Sequence, residues 1–161
     1  LTRSKIDRLA HACLQEGEQA ATRNIHPFLH NDVDAVRARL DAIRAHDAGN
    51  SIMIVSESLF SMNSDTPDLV ALQDLAHEFA APLVVDVAHD VGSMGPGGRG
   101  HLGLQSMIGK VDLVMGSFSK TFASNGVSSW PNIARRPNTC ASMPHRTPSP
   151  TRSRRSAPPL F

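Results

Sequence analysis

Three side chains near the middle of the sequence could do chemistry together: Asp86, His89 and Lys120. Asp86 and His89 end the apolar run Pro82-Leu-Val-Val-Asp-Val-Ala-His89. Lys120 closes a second run, Val111-Asp-Leu-Val-Met-Gly-Ser-Phe-Ser-Lys120, which breaks at Gly116 into small hydroxyl residues. Short apolar runs bounded by glycine read as buried strands, and ligands of open α/β sheets gather beyond the carboxyl ends of such strands. A lysine there can be partly desolvated, which favours its neutral amine and makes it a nucleophile toward carbonyls. Ser117 and Ser119 flank it with hydroxyls suited to a phosphate. Taken singly, each has a plainer reading: a solvated loop lysine, a strand-end acid, a loop histidine. Their joint spacing is the signal.

A carboxylate on one strand end and an amine on another suit pyridoxal phosphate. The amine holds the aldehyde as a Schiff base, and the carboxylate keeps the pyridine nitrogen protonated so that the ring accepts electrons. Four blocks extend the pattern: Phe28-Leu-His-Asn-Asp32, Glu57-Ser-Leu-Phe-Ser-Met-Asn-Ser-Asp65, Asp86-Val-Ala-His89 and Gly116-Ser-Phe-Ser-Lys120. In that order they resemble the α-oxoamine synthases, pyridoxal-phosphate enzymes of aminotransferase class I/II, over roughly residues 7 to 126. This family includes 8-amino-7-oxononanoate synthase, serine palmitoyltransferase and glycine C-acetyltransferase.

The resemblance implies decarboxylative condensation of an amino acid with an acyl-CoA. Lys120 would hold the cofactor and move protons, and Asp86 would face the pyridine nitrogen. His89 and Ser61 would meet the phenolic oxygen, and Ser117 and Ser119 the phosphate. It also implies a homodimer, with sites formed between two subunits. Val87, where relatives often carry an acid, and Asp90, where many have glycine, leave substrate choice open. The chain is short for the family. The ring-stacking residue is expected in a missing N-terminal third, and a substrate-binding arginine in a missing C-terminal domain. An inactive fragment is therefore the expectation. An aminotransferase of the same fold, or a non-catalytic truncated product, is the alternative.

The elements that position these residues follow from periodicity. Asn24 to Leu29 reads as a strand. Asn31 or Asp32 caps a helix with Val33, Val36, Leu40 and Ile43 on one face, running to about His46. Ser51 to Glu57 reads as a buried strand. Thr66-Pro67 opens a helix with Pro67 near its first position, carrying Leu69, Leu72, Ala76 and Phe79. Leu102 to Lys110 suggests a short helix. Asp7-Arg-Leu-Ala-His-Ala-Cys13 leads into a helix, either beside the cofactor or as a plain amphipathic start with His11 on the polar face. Strands alternating with helices predict a mostly parallel sheet with flanking helices, part of the large domain of the aspartate-aminotransferase-like fold.

Other signals are weaker. His26 and His30 have i, i+4 spacing, but Pro27 between them opposes the regular helix a zinc pair would use. Gly95, Gly97 and Gly100 match a dinucleotide fingerprint, yet they lie well past the strand with Pro96 among them and no acid about twenty positions on. Two cysteines, Cys13 and Cys140, are too few for a disulfide framework. No apolar run approaches the ~18 residues of a membrane span, and no signal-peptide pattern opens the chain, so the expected location is the cytoplasm.

Composition changes at Val127. Residues 127–161 hold six arginines and seven of the 11 prolines, with no glycine and no acid, leaving 10 of the 16 basic residues against all 15 acids before them. The expectation is a two-part chain: residues 1–126 as the partial cofactor-binding domain, and 127–161 as a disordered basic tail. Nucleic-acid binding is not expected, because the tail lacks interleaved aromatic residues. The tail has a further reading as an out-of-frame product. Back-translated with a consistent codon choice and read one base over, it spells a segment resembling the family's next strand and its entry to the small domain.

Overall fold

The computed structural model describes residues 3–132. Six strands form one sheet in the order β2-β1-β3-β4-β5-β6. They are β1 (Arg3–Asp7), β2 (Ile25–Phe28), β3 (Ile52–Glu57), β4 (Leu83–Asp86), β5 (Leu113–Ser117) and β6 (Val127–Pro131). The first five strands in this sheet pair in parallel, and β6 runs antiparallel to β5. Helices α1 (Ala12–Ala21), α2 (Val33–Arg44), α3 (Leu69–Glu78) and α4 (Gly100–Leu104) fill the crossovers. The mostly parallel α/β sheet is as the apolar runs predict. Parallel strands need such long connections, and helices then cover the faces they cross.

The helix starts have simple causes. Asp32 caps α2 by accepting the Ala35 N–H at 2.7 Å, and Asp68 caps α3 by accepting the Ala71 N–H at 2.9 Å. Each satisfies a donor that the first helical turn leaves unpaired. Pro67 thus precedes the cap instead of occupying the first helical position, because Asp68 is the better acceptor. Val36, Leu40 and Ile43 of α2 lie buried with Leu69, Leu72 and Leu75 of α3 against Ile52, Ile54, Leu83 and Val85 of the sheet. Burying one such leucine or isoleucine stabilises the fold by about 1.5–3 kcal/mol. On the opposite face a smaller cluster joins Ala10 and Leu14 to Ile6, Val55 and Val84, and Leu113 and Met115 are only partly covered there.

Strand β1 is absent from the periodicity reading, which passes from Leu1 straight toward a helix. Its polar residues explain the omission: Ser4, Lys5 and Asp7 are all buried. Ser4 Oγ donates to Glu18 of α1. Asp7 accepts N–H groups of Leu9 and Asn31, at 2.9 and 3.1 Å. Burial of Ser4 and Asp7 is tolerated because they are paired, and pairing across the fold leaves no local pattern.

The helix expected over Leu102–Lys110 is the shorter α4, since Ser106 takes a left-handed φ of 56° that ends it. The sheet also continues past Gly126, the expected end of the domain. Val127–Pro131 pairs along β5, and Asn132 fastens its end by donating to Asp112 O at 2.8 Å and to Gly109 O at 2.6 Å. The tail reading, including its out-of-frame form, otherwise lies outside the described residues. Among those residues no helix is long and apolar enough to cross a membrane.

Candidate active site

Parallel strands carry their carboxyl ends to one edge of the sheet, so the last residues of β1, β3, β4 and β5 share that edge. They are Asp7, Glu57, Asp86 and Ser117, and Glu57 and Asp86 are direct register partners. The β3 and β4 ends are sewn together. Ser58 N–H donates to Asp86 O at 2.9 Å, and Ser58 Oγ donates to Asp90 Oδ1 at 2.8 Å.

Asp86 is buried, and its Oδ1 accepts the Ala88 N–H at 2.9 Å. Burial raises its pKa above the ordinary aspartate value. The Ala88 N–H and the nearby Lys120, His89 and His11 act against that rise. Three residues on, His89 places Nε2 2.9 Å from Lys120 Nζ. An ammonium donates at that distance only to a neutral imidazole nitrogen. Burial, then the positive Lys120, accordingly depress the His89 pKa. Asp86, His89 and Lys120, separate in sequence, thus form one cluster.

The hydroxyls divide differently. Ser117 Oγ and Ser119 Oγ lie 2.7 Å apart, and the Ser119 N–H donates to Ser117 Oγ at 3.2 Å. They form a small polar pair beside the lysine, at the end of β5. Ser61 sits on an exposed turn after β3 and makes no hydrogen bond among the described residues. Its loop is held from below by His30. The His30 ring contacts Asp7 through Nδ1 and Asp65 through Nε2, each at 2.9 Å, and packs edge-on against Phe60 with ring centroids 4.5 Å apart. Burial lowers the His30 pKa, but the two carboxylates outweigh it and the net shift is upward. His30 is therefore engaged with acids of β1 and the Ser61 loop, while His26 lies in β2.

Two site residues escape the motif reading as functional groups: His11 and Glu57. His11 caps α1, with Nδ1 accepting the Cys13 N–H at 3.2 Å, and its ring centroid lies 6.3 Å from that of His89. An aromatic ring is therefore present beside His89, where sequence reasoning expects the stacking residue in a segment further upstream. The Asp7–Cys13 block is the signal that could have found it. Glu57 accepts the His11 N–H through Oε1, and its Oε2 is buried with no partner. Val87 and Asp90, in contrast, face the interior. Val87 packs in the main core. Asp90 is fully buried and holds Ser58 Oγ and the His101 N–H, the latter at 2.7 Å.

The family profile described as "Aminotransferase class I and II" matches residues 5–129. The chain belongs to this family. Among its relatives, a putative 8-amino-7-oxononanoate synthase of Bordetella pertussis is 45% identical over 122 residues, which are 74% of this chain and 29% of that protein. A serine palmitoyltransferase of Sphingobacterium spiritivorum is 36% identical over 121 residues, 75% of this chain and 30% of the relative. In structure, this aminotransferase-family chain resembles a serine palmitoyltransferase of S. paucimobilis solved with PLP and myriocin bound. That match has a TM-score of 0.74 and 30% identity, over 81% of this chain and 32% of the other. The relatives are α-oxoamine synthases, as the four motifs indicate. The chain spans about three tenths of the length of the curated relatives it matches.

The residues present fit pyridoxal phosphate. Asp86 has one carboxylate oxygen bonded to the backbone and a second free of such a bond. Lys120 is exposed beside it, and an imidazole lies near each. A buried acid, a reachable amine, an aromatic ring and a hydroxyl pair are the donor set that the cofactor's nitrogen, aldehyde, ring face and phosphate call for.

Proposed function

We propose that this chain carries the cofactor-binding part of a pyridoxal-phosphate-dependent acyltransferase, one that condenses an amino acid with an acyl-CoA and releases CO2 and CoA. The observation that carries the reading is the grouping of Asp86, His89 and Lys120 beyond the β4 and β5 ends, with His89 bridging toward the lysine at 2.9 Å. The kinship with serine palmitoyltransferase and 8-amino-7-oxononanoate synthase supports the reaction class.

Bound there, pyridoxal phosphate supplies an electron sink for the substrate's α-carbon. Asp86 would hold a proton on the pyridine nitrogen through a charge-assisted hydrogen bond. Lys120 would hold the cofactor through its amine and would move protons at the substrate's α-carbon. Neutral His89 accepts a hydrogen bond from Lys120 and so holds the amine in place before the cofactor arrives. His89, with Ser61 from its turn, would hold the phenolic oxygen, Ser117 and Ser119 would hold the phosphate, and the His11 ring would support the pyridine face.

The protein that uses this segment is a homodimer of the cytoplasm. The 161-residue chain alone binds the cofactor weakly and does not turn over, because it spans only about three tenths of the length of its relatives.

A chimera tests the reading. Residues 5–126 replace the matching segment of the 8-amino-7-oxononanoate synthase of Gluconacetobacter diazotrophicus, which is 43% identical over 120 residues. Release of free CoA that depends on an amino acid and on Lys120 is the expected result. Amino-group transfer to a keto acid, with acyl-CoA left untouched, would assign the segment to an aminotransferase instead.

A further inference from the structure

Glu57 is an ionisable group beside this cluster that the roles above leave unused. It ends β3 beside Asp86 at the end of β4, and the Ser58 bonds to Asp86 O and Asp90 keep the two strand ends together. Its side chain is 1% exposed. Oε1 accepts the backbone N–H of His11, the cap residue of α1, while Oε2 is buried without any partner. A buried carboxylate with an unpaired oxygen and a second carboxyl alongside is a costly arrangement, because two adjacent buried acids resist ionising together.

Every charged group facing the pair bears on which acid keeps the proton. Asp86 is stabilised as an anion by the Ala88 N–H and by Lys120, His89 and His11. Glu57 has the His11 N–H and Lys120 in its favour, but Asp86 on β4 and Asp7 on β1 oppose its ionisation. We propose that Glu57 is a positioning residue that stays a neutral acid, anchoring the His11 backbone through Oε1 and leaving Asp86 as the single ionised carboxylate of the pair. This rests on the proposed function only in what the ionised Asp86 is for. Burial, with Asp86 and Asp7 adding to it, pushes the Glu57 pKa up to about 7, which agrees with a proton held there into the neutral range.

The consequence for pH has a definite sign. An acid whose folded pKa lies above its unfolded one contributes stability below the unfolded value and loses it as pH rises through the folded value. The wild-type chain should therefore lose stability relative to Glu57→Gln between about pH 4.5 and about pH 7, since the amide keeps the acceptor for the His11 N–H but cannot ionise.

The test uses the full chain without cofactor. Urea unfolding of wild type and Glu57→Gln is measured from pH 5 to pH 8, and the ratio of their unfolding constants should change by about a hundredfold. Burial also raises the Glu18 pKa, so in parallel 13C-carboxyl NMR of glutamate-labelled Glu18→Gln follows Glu57 without that signal. Adding Asp86→Asn should lower its midpoint by about a tenfold change in proton affinity. A pH-independent ratio, or a glutamate midpoint that ignores Asp86→Asn, would overturn the proposal. The NMR arm decides even if Glu57→Gln does not fold. Pyridoxal phosphate is then titrated into each chain. Failure of all of them to bind it would count against the proposed function, while the proton readings would still decide the role of Glu57.

Discussion

Replacing Asp86 by Asn separates what the carboxylate does for the cofactor from what it does for the fold. The structure gives the two effects opposite signs. Oδ1 is committed to the Ala88 N–H at 2.9 Å, and the asparagine oxygen can accept the same bond. The negative charge, however, is removed from a buried position where desolvation already raises the pKa. The cofactor-free variant at pH 8 should therefore melt higher than wild type, relieved of a charge the fold resists. Cofactor affinity should move the other way. A hydrogen bond with an ionised partner contributes about 1.5–3 kcal/mol, so its loss weakens binding about 10- to 150-fold. Calorimetric melts of the free chain and absorbance titrations with pyridoxal phosphate read the two quantities. Equal affinity in variant and wild type would refute the pyridine assignment. A lower melting temperature with unchanged affinity would show the carboxylate to be purely structural.

The same reasoning extends to two other positions. His30→Ala removes the link between buried Asp7 and the Ser61 loop and should cost about 2 kcal/mol at pH 6, because Asp7 keeps its two backbone donors. The deficit should shrink as pH rises, since the folded His30 pKa is raised and its contribution is lost through that value. Melting curves at pH 6 and pH 8.5 check both statements. Gly100→Ala should destabilise by at least about 2 kcal/mol in urea titrations. Gly100 takes φ +59°, and a Cβ there would lie 2.6 Å from the Asp90 carboxyl, disturbing its bonds to Ser58 and His101.

The parts of the fold legible in the sequence are those whose cause is local. Asp32 precedes an apolar stripe by a fixed spacing, and α2 begins there. The Ile52, Leu83 and Leu113 runs are apolar enough to read as strands without a partner in view. Asp86, His89 and Lys120 could be grouped because each ends or follows such a run. Strand β1 was hidden because Ser4 and Asp7 are satisfied only by residues brought up by folding. Glu57 and His11 illustrate the same limit. Their contact spans 46 positions, nothing local marks the glutamate as buried, and only the Asp7–Cys13 block hints at the histidine. Strand β6 lies in proline- and serine-rich sequence with exposed residues, so its pairing with β5 is its main support.

Covalent capture of the cofactor tests the central claim most directly. The sequence has three lysines, Lys5, Lys110 and Lys120. Burial, with Arg39 and Arg3 nearby, lowers the Lys5 pKa to about 8, which raises the share of neutral, nucleophilic amine there. The chain is incubated with pyridoxal phosphate near pH 7.5, reduced with borohydride, digested and mapped by mass spectrometry. A pyridoxyl adduct concentrated on Lys120 and reduced in Asp86→Asn is the predicted result. An adduct on Lys5 or Lys110 in preference to Lys120, or one indifferent to Asp86, would contradict a cofactor held between the β4 and β5 ends.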